Sequence, residues 1–270
     1  MNDSPEPRLS VRDLSIGYDG RAIMEEIGFD VRPGEIFFII GGSGSGKSTL
    51  LKTLIGLLPP VAGRIFYDGR EFREDDPAGA AEILRNTGVL YQGGALFSSM
   101  TLLENVALPL RIHTRLPERE IRALAEFKLS LVGLSGAARR FPHEISGGMM
   151  KRAGLARALA LDPGVLFFDE PSAGLDPLTS RRLDETIAGL NESLGTTVLI
   201  VSHELASIFA LADRAVFLDA RSRRQAEVGE PAVMKERSNH PGIRDFLSRG
   251  EAGGGTRPAP ESDRNRKSNE

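Results

Sequence analysis

Apolar residues are spaced in two ways along this chain, in short continuous runs and in runs with a helical period. Residues 36–40, 165–168 and 197–201 are continuous or nearly continuous apolar stretches. Stretches of that length indicate strands that are buried in a sheet. Residues 48–58 instead carry leucines at 50, 51, 54, 57 and 58, which is the spacing of one helix face. The succession of strand, glycine-rich loop and helix predicts an α/β domain.

Two stretches near the start of the chain have the pattern of antiparallel strands. Residues 8–34 suggest an antiparallel β element, and residues 63–69 suggest a further short strand closed by Asp-Gly. Asp-Gly is a dipeptide that favours the tight turn between paired strands. We therefore predict an antiparallel β subdomain beside the α/β core.

The segment between residues 98 and 145 has a helical pattern. Thr101 and Glu104 form a capping-box pattern, and Pro117 can occupy the first turn of a following helix. The apolar residues of that following helix are Ile121, Leu124, Phe127 and Leu131. A further helix is predicted from Ser146, a suitable N-cap, to residue 161. These helices predict an α-helical subdomain inserted into the core over about residues 98–150.

Composition limits the classes of protein that fit the chain. It has 270 residues, of which 40% are hydrophobic, which is enough for a large core. The absence of cysteine excludes disulfides, and a net charge of −3 offers no general basic surface for nucleic acid. The N-terminus lacks the pattern of a secretory signal, and no apolar run approaches the roughly 20 residues that span a bilayer. We expect any membrane role to come through a partner.

The two ends of the chain differ from its middle. Residues 250–260 are rich in glycine and proline, and the polar residues that follow cannot bury enough apolar surface to fold. We predict one folded domain over residues 8–248, a flexible N-terminus at 1–7 and a disordered tail at 249–270.

Residues 41–49 match the P-loop pattern G-x-x-x-x-G-K-[ST] in the expected place between a strand and a helix. Small residues let backbone N–H groups curl around phosphate oxygens, and the following helix N-terminus attracts anions. Lys47 can reach the β and γ phosphates, and Ser48 can hold Mg²⁺. The predicted nucleotide-binding residues are Gly41, Gly42, Ser43, Gly44, Ser45, Gly46, Lys47, Ser48 and Thr49.

A pair of carboxylates, Asp169 and Glu170, follows the apolar run at 165–168. This is the Walker B arrangement, in which Asp169 can hold Mg²⁺ through its water shell. Glu170 can polarise the water that attacks the γ-phosphate. An ordinary acidic turn after a core strand is the alternative, and the P-loop upstream disfavours it.

The segment Ser146-Gly147-Gly148 opens the helix that follows the predicted helical subdomain. With the P-loop and the Asp169-Glu170 pair, it makes the chain resemble the ATP-binding cassette (ABC) ATPases, whose signature is usually Leu-Ser-Gly-Gly-Gln. The resemblance covers about residues 8–248 and implies the ABC ATPase fold. It also implies that each ATP lies between Lys47 of one chain and Ser146 of a second chain in a head-to-tail homodimer.

The resemblance implies roles for three further residues. Tyr18 matches the aromatic residue that packs on adenine, and Gln92 matches the Q-loop glutamine that contacts Mg²⁺ or the attacking water. His203 matches the switch histidine that contacts the γ-phosphate. Residues 172–176 resemble the D-loop with Gly174 as an insertion, and Met149 replaces the usual signature glutamine.

One branch of the family is especially similar. Met149, the D-loop form and the stretch 91–110 resemble the Mla-type ATPases of phospholipid-trafficking transporters that work with MCE-domain proteins. The resemblance implies a multi-span permease partner, an MCE-domain protein, phospholipid cargo and a peripheral position on the cytoplasmic face of the inner membrane. A permease helix is expected to dock on a groove whose apolar residues are Leu96, Phe97, Met100, Leu102 and Leu103. The other interpretation of these residues is subdomain core.

Other functions stay open at this point. An ABC importer for a polar solute such as an amino acid is the second interpretation, because the permease and not the ATPase binds the cargo. A non-transport ABC ATPase acting on nucleic acid or ribosomes is disfavoured, since such relatives carry a long coiled coil or two cassettes. A regulatory module without turnover is disfavoured because Glu170 and His203 are both present.

Overall fold

The computed structural model describes residues 6–249. Residues 1–5 of the predicted flexible N-terminus and residues 250–270 of the predicted tail lie outside the described residues. Within the described part, the strands are β1 (Leu9–Tyr18), β2 (Arg21–Val31), β3 (Ile36–Gly41), β4 (Ala62–Tyr67), β5 (Arg70–Glu71), β6 (Thr87–Leu90), β7 (Val165–Asp169), β8 (Thr197–Val201), β9 (Arg214–Asp219) and β10 (Arg224–Gly229).

The helices of the described residues lie between and around these strands. They are α1 (Lys47–Leu54), α2 (Pro77–Arg85), α3 (Leu102–His113), α4 (Glu118–Leu131), α5 (Gly147–Ala158), α6 (Pro177–Leu194), α7 (Leu205–Leu211), α8 (Pro231–Arg237) and α9 (Pro241–Leu247), with 3-10 turns at Ser135–Ala137 and Pro142–Glu144. None of these helices is both long enough and apolar enough to cross a bilayer.

All ten strands belong to one sheet with the order β5-β4-β1-β2-β10-β9-β3-β8-β7-β6. β3, β8, β7 and β6 pair in parallel, and β9 pairs in parallel with β3. β1, β2, β4 and β5 pair antiparallel. The parallel part therefore brings the carboxyl ends of β3, β7 and β8 to one edge, where α/β sheets commonly bind ligands.

Two hydrophobic cores lie on opposite faces of the sheet. Phe37 and Phe167 belong to the core with β1, β2 and α1, whereas Phe38 and Phe168 belong to the core with the helices of residues 102–190. Successive strand residues point to opposite faces, so these adjacent phenylalanines are shared between the two cores. This explains why β3 and β8 are apolar at nearly every position, and it confirms the predicted α/β architecture.

The helical insertion begins as its caps predict. Thr101 and Glu104 form the capping box of α3, in which Thr101 accepts a hydrogen bond from the Glu104 N–H at 3.3 Å. Pro117 is the N-cap of α4, one residue before its first turn. Ser146 is the N-cap of α5 and accepts from the Met149 N–H at 3.3 Å.

The predicted extents of two helices are wrong, and helical periodicity alone does not give which apolar residues are buried. α1 ends at Leu54, because Gly56 takes a left-handed φ of 73° just beyond it, so Leu57 lies outside the helix and is 57% exposed. Phe127 is 54% exposed on α4, although Ile121 of the same helix is buried. α5 ends at Ala158 rather than at residue 161. Leu102 is fully buried, which agrees with the core interpretation of that residue.

Candidate functional site

The P-loop between β3 and α1 is shaped by glycines whose backbone conformations other residues rarely adopt. Gly41 has a φ of 151°, and a Cβ there would lie 2.4 Å from the Leu218 carbonyl oxygen. Gly46 is the N-cap of α1 with a left-handed φ of 81°. The loop therefore approaches the sheet too closely at Gly41 for any side chain and depends on glycine at Gly46, as expected of a phosphate-binding loop.

Lys47 lies across the loop that precedes it. Its Nζ donates to the carbonyl oxygens of Gly41 and Gly42, both at 3.0 Å. Burial lowers the pKa of Lys47, and the charges of Glu170 and Asp169 partly oppose that shift. The ammonium group thus lies within the field of both carboxylates, at the place where phosphate charge would need a cation.

The two carboxylates at the end of β7 have different surroundings. Burial raises the pKa of Asp169, Glu170 raises it further, and hydrogen bonding by Ser48 lowers it. Glu170 adopts a left-handed φ of 48°, and its N–H donates to the Val201 carbonyl at 2.9 Å. Its Oε1 lies 2.8 Å from Nδ1 of His203. The parallel pairing of β7 with β8 therefore brings Glu170 and His203 together.

Polar atoms without partners concentrate at this edge of the sheet. Among residues 6–249, seven buried polar side-chain atoms have no hydrogen-bond partner. Four of them belong to the loop after β3, to the last residue of β7 or to the residues just after β7: Ser45 Oγ, Asp169 Oδ1, Glu170 Oε2 and Ser172 Oγ. Buried polar groups are normally paired, so such a concentration indicates a ligand site. Asp169 beside the Ser48 hydroxyl is the kind of oxygen pair that Mg²⁺ takes along with phosphate oxygens. The residues therefore fit Mg²⁺ with a nucleotide.

Two of the residues implied by the family resemblance border this cluster. Tyr18 is 48% exposed, and its hydroxyl lies 3.1 Å from Oγ1 of Thr49. Gln92 follows β6 and is exposed, while its carbonyl accepts a hydrogen bond from Lys151. Tyr18 thus presents its ring beside the P-loop helix, as stacking on a base would require.

The predicted signature lies elsewhere in the fold. Ser146 and Gly147 are exposed, and Gly148 is buried so close to α6 that a Cβ would lie 2.3 Å from Cγ2 of Thr179. α5 packs against α3, α4, α6 and β6, whereas α1 packs against β1, β3, β7 and β8. Within one chain, Lys47 and Ser146 therefore lie at the ends of helices that pack against different parts of the fold.

Two residues near the site were missed by the sequence reasoning. Lys151 is buried in α5 and touches two loops of the site, and Asn105 is buried in α3. The Asn105 amide accepts from the Phe97 N–H at 2.7 Å and donates to the Phe97, Met100 and Thr101 carbonyls, which fixes the loop before α3. A lone polar residue within an apolar helix pattern was the available signal.

A glycine cradle at the end of β3, with an acidic pair and a histidine at the ends of neighbouring parallel strands, defines a P-loop nucleotide hydrolase. The model of the protein family described as "ABC transporter" matches residues 24–173, more than half of the chain. The chain belongs to this family, and it is one of the family's ATP-binding, ATP-hydrolysing cassettes.

Relatives from several bacteria are similar over most of the chain. The "Probable ribonucleotide transport ATP-binding protein mkl" of Mycobacterium leprae (strain TN) is 42% identical over 240 residues, which are 89% of this chain and 68% of that protein. The chain spans 66% of the length of the protein of the same name from Mycobacterium tuberculosis (strain ATCC 25618 / H37Rv). The "Intermembrane phospholipid transport system ATP-binding protein MlaF" of Escherichia coli (strain K12) is 38% identical over 247 residues, covering 92% of this chain and 91% of that protein.

Solved structures of ABC cassettes share the fold. cbiO1 from Clostridium perfringens, part of the ABC transporter complex cbiONQ, superposes with a TM-score of 0.78 at 28% identity, over 86% of this chain and 92% of that chain. The cassette MJ0796, in a dimeric post-hydrolysis state bound to ADP and Pi, gives 0.74 at 28% identity, over 82% and 98%. These matches confirm the predicted ABC ATPase fold.

Proposed function

We propose that this chain is the ATP-hydrolysing subunit of a membrane transporter that moves phospholipid, as the Mla-type resemblance implies. The observation that carries the proposal is the similarity to MlaF, which extends over 91% of that protein's length. The relative named for ribonucleotide transport favours a second candidate, the ATPase of an importer for a polar solute. Both candidates share the same ATPase chemistry and differ in cargo.

In the proposed reaction, residues 41–49 hold the phosphates through backbone N–H groups, and Lys47 neutralises their charge. Ser48, Asp169 and Gln92 would hold Mg²⁺, which when bound neutralises charge on the phosphate oxygens. Glu170 orients the attacking water and accepts its proton at a carboxylate oxygen. The contact of 2.8 Å between Glu170 and Nδ1 of His203 supports a role for His203 in aiming that carboxylate. The ring of Tyr18 would pack on adenine.

The site requires a second copy of the chain. Ser146 and Gly147 are exposed at the N-terminus of α5, which packs against other elements than α1 does. The N–H groups of this first turn would therefore reach the γ-phosphate held by a partner copy. MJ0796 forms a dimer, which supports the proposed head-to-tail arrangement. Binding of ATP would then close the dimer, and hydrolysis would release it.

The proposed permease contact lies on the loop before α3. Phe97 is 51% exposed, while Leu96 and Leu103 are partly buried against the core. The side-chain amide of buried Asn105 hydrogen-bonds to both the N–H and the carbonyl of Phe97, so the exposed ring lies on a loop with a fixed backbone. We propose that a short permease helix docks here on the cytoplasmic face of the inner membrane, and that an MCE-domain protein completes the complex on the far side.

Affinity purification of the tagged chain from its native membranes tests the cargo. We expect two copies of the chain with two copies of a multi-span permease, an MCE-domain protein and bound phospholipid. Phe97→Asp should abolish recovery of the permease and leave nucleotide binding by the chain unchanged. Recovery of a permease with a solute-binding protein and no phospholipid would reject the lipid cargo and support the polar-solute importer.

A further inference from the structure

Lys151 is a buried cation at the back of the candidate site. It lies in the second turn of α5, and only 6% of its surface is exposed. Its Nζ donates to the carbonyl oxygen of Gln92 and, at 3.3 Å, to the carbonyl oxygen of Glu170. One side chain from the signature helix therefore touches both the loop after β6 and the end of β7.

A buried ammonium group is costly unless its hydrogen bonds are satisfied. Burial lowers the pKa of Lys151, and the charges of Asp169 and Glu170 oppose that shift. Lys128, the comparable buried lysine of α4, instead pairs with the carboxylate of Asp162, away from the site. The hydrogen-bond partners of Lys151 are the backbone carbonyls of Gln92 and Glu170, so its ammonium group joins the loop after β6 to the end of β7.

The backbone of Glu170 has an unfavourable conformation that hydrogen bonds such as the one from Lys151 can stabilise. Its φ of 48° is left-handed, a conformation that costs roughly 1–2 kcal/mol for a residue with a Cβ. Its N–H donates to Val201, and its carbonyl accepts from the Ala173 N–H at 3.2 Å and from Lys151. Lys151 supplies the contact that arrives from the helical insertion.

The loop after β6 is held by the same helix. Arg157, two turns beyond Lys151 on α5, donates to the carbonyls of Ala95 at 2.6 Å and Gly94 at 3.1 Å. A Cβ on Gly154 would lie 3.0 Å from the Gly94 oxygen, so α5 approaches this loop closely along its length. Arg157 anchors the loop, whereas Lys151 joins the loop to Glu170.

We propose that Lys151 is a positioning residue that holds the backbones of Gln92 and Glu170 in the arrangement that hydrolysis requires. It links the signature helix to both. The proposal rests on the proposed roles of Gln92 and Glu170, and it adds a residue for which neither the P-loop nor the signature pattern gives a role. A movement of about 1 Å in such positioning can cost up to about 100-fold in rate.

The test is steady-state ATP hydrolysis by the assembled transporter carrying Lys151→Met, which keeps the length of the side chain and removes the donors. We expect kcat to fall at least about 10-fold, while KM for ATP and nucleotide affinity change less than about 3-fold, because the lost contact acts on the chemical step. Lys151→Arg keeps a charged donor and should restore at least about half of the wild-type kcat.

Lys128→Met is the matched control, since it also removes a buried lysine. It should lower the melting temperature and leave kcat of the folded complex unchanged. Hydrogen exchange of the amides at residues 92–95 should be faster in Lys151→Met than in wild type, and unchanged in Lys128→Met. If Lys151→Met does not fold, Lys151→Leu, which also lacks a donor, is judged by the same criteria.

Glu170→Gln, measured in parallel, distinguishes failure of the Lys151 proposal from failure of the proposed role of Glu170. A slow Glu170→Gln with a Lys151→Met at wild-type kcat, or a loss that Lys151→Arg does not restore, overturns the Lys151 proposal and leaves the site intact. A Glu170→Gln at the wild-type rate overturns the proposed role of Glu170, and the positioning role of Lys151 falls with it.

Discussion

The N-termini of α1 and α5 are the two helix ends at which we propose that phosphate binds, and they differ in what surrounds them. The N-cap of α1 is Gly46, which has no side chain with which to cap the helix, and Lys47, Asp169 and Glu170 lie around the preceding loop. The N-cap of α5 is Ser146, whose hydroxyl already accepts from the Met149 N–H. The N-terminus of α1 therefore lies beside the groups to which we assign hydrolysis, whereas the N-terminus of α5 has backbone donors and a side-chain cap.

The glycines at the two helix ends are required for different reasons. A Cβ on Gly41 would meet the backbone of β9 at the Leu218 oxygen, which cannot move without disturbing the sheet. A Cβ on Gly148 would meet the side-chain methyl of Thr179 on α6. The P-loop thus depends on the central sheet, while the signature depends on one neighbouring helix. This difference agrees with the proposal that the hydrolytic groups lie at the α1 end and that the α5 end of a second copy completes the site.

The largest expected effect tests whether chemistry belongs to the α1 side. Glu170→Gln should lower kcat for ATP at least about 100-fold, the lower end of what a positioned general base contributes, and should leave ATP binding intact. Steady-state ATPase assays on the assembled complex, with nucleotide titrations, measure both quantities. Activity near wild type would remove Glu170 from the mechanism and break the distinction between the two helix ends.

The second prediction separates the two helix ends by what they bind. Lys47→Ala removes the cation of the P-loop, so the affinity of a single chain for ATP should fall sharply. Ser146→Arg places a bulky charge at the end of α5, so single-chain affinity should stay at the wild-type value while the ATP-dependent dimer fails to form. Nucleotide titration measures the affinity of the single chain for ATP, and size measurements with Mg-ATP show whether the dimer forms. Equal loss of ATP affinity in both variants contradicts a site shared between two copies.

A third prediction concerns the dependence of the signature on α6. Gly148→Ala should destabilise the protein by about 1–3 kcal/mol, because the new methyl group overlaps Cγ2 of Thr179 at 2.3 Å. Gly147→Ala is the matched control, since its nearest neighbour is Cδ2 of Leu175 at 3.7 Å. Thr179→Ser removes the methyl and keeps the hydroxyl, so it should restore stability to Gly148→Ala. Denaturant unfolding is measured for Gly148→Ala, Gly147→Ala, Thr179→Ser and the Gly148→Ala/Thr179→Ser double variant. A loss that the double variant does not rescue would show that the contact is not with Thr179.

The smallest expected effect concerns Tyr18. Tyr18→Ala removes the ring proposed to pack on adenine and should weaken ATP binding by about 1–3 kcal/mol, the range for stacking of a base on an aromatic side chain. Tyr18→Phe keeps the ring and loses only the contact with Thr49, so it should bind nearly as the wild type does. Titration with ATP and with inorganic triphosphate distinguishes base from phosphate. Equal losses for both ligands would show that Tyr18 shapes the P-loop instead.

The sequence by itself determined the class of fold and the identity of the main motifs. Local patterns were sufficient for the P-loop, the strand ending at Asp169 and the caps at Thr101 and Ser146, because each depends on residues within a few positions. The roles assigned to the site residues stay predictions, although the structure brings Glu170 and His203 together as those roles require.

Tertiary packing decided what periodicity could not. Leu57 and Phe127 fit helical faces but are exposed, since α1 ends early and α4 packs on the core through other residues. Leu102 of the proposed docking loop is core, which was the alternative interpretation of that residue. The motif patterns gave Lys151 no role, and it is buried because α5 packs against β6 and the side chain reaches the residue after β7. Burial of a side chain depends on which distant element covers it, and that is a property of the folded chain rather than of any local stretch of sequence.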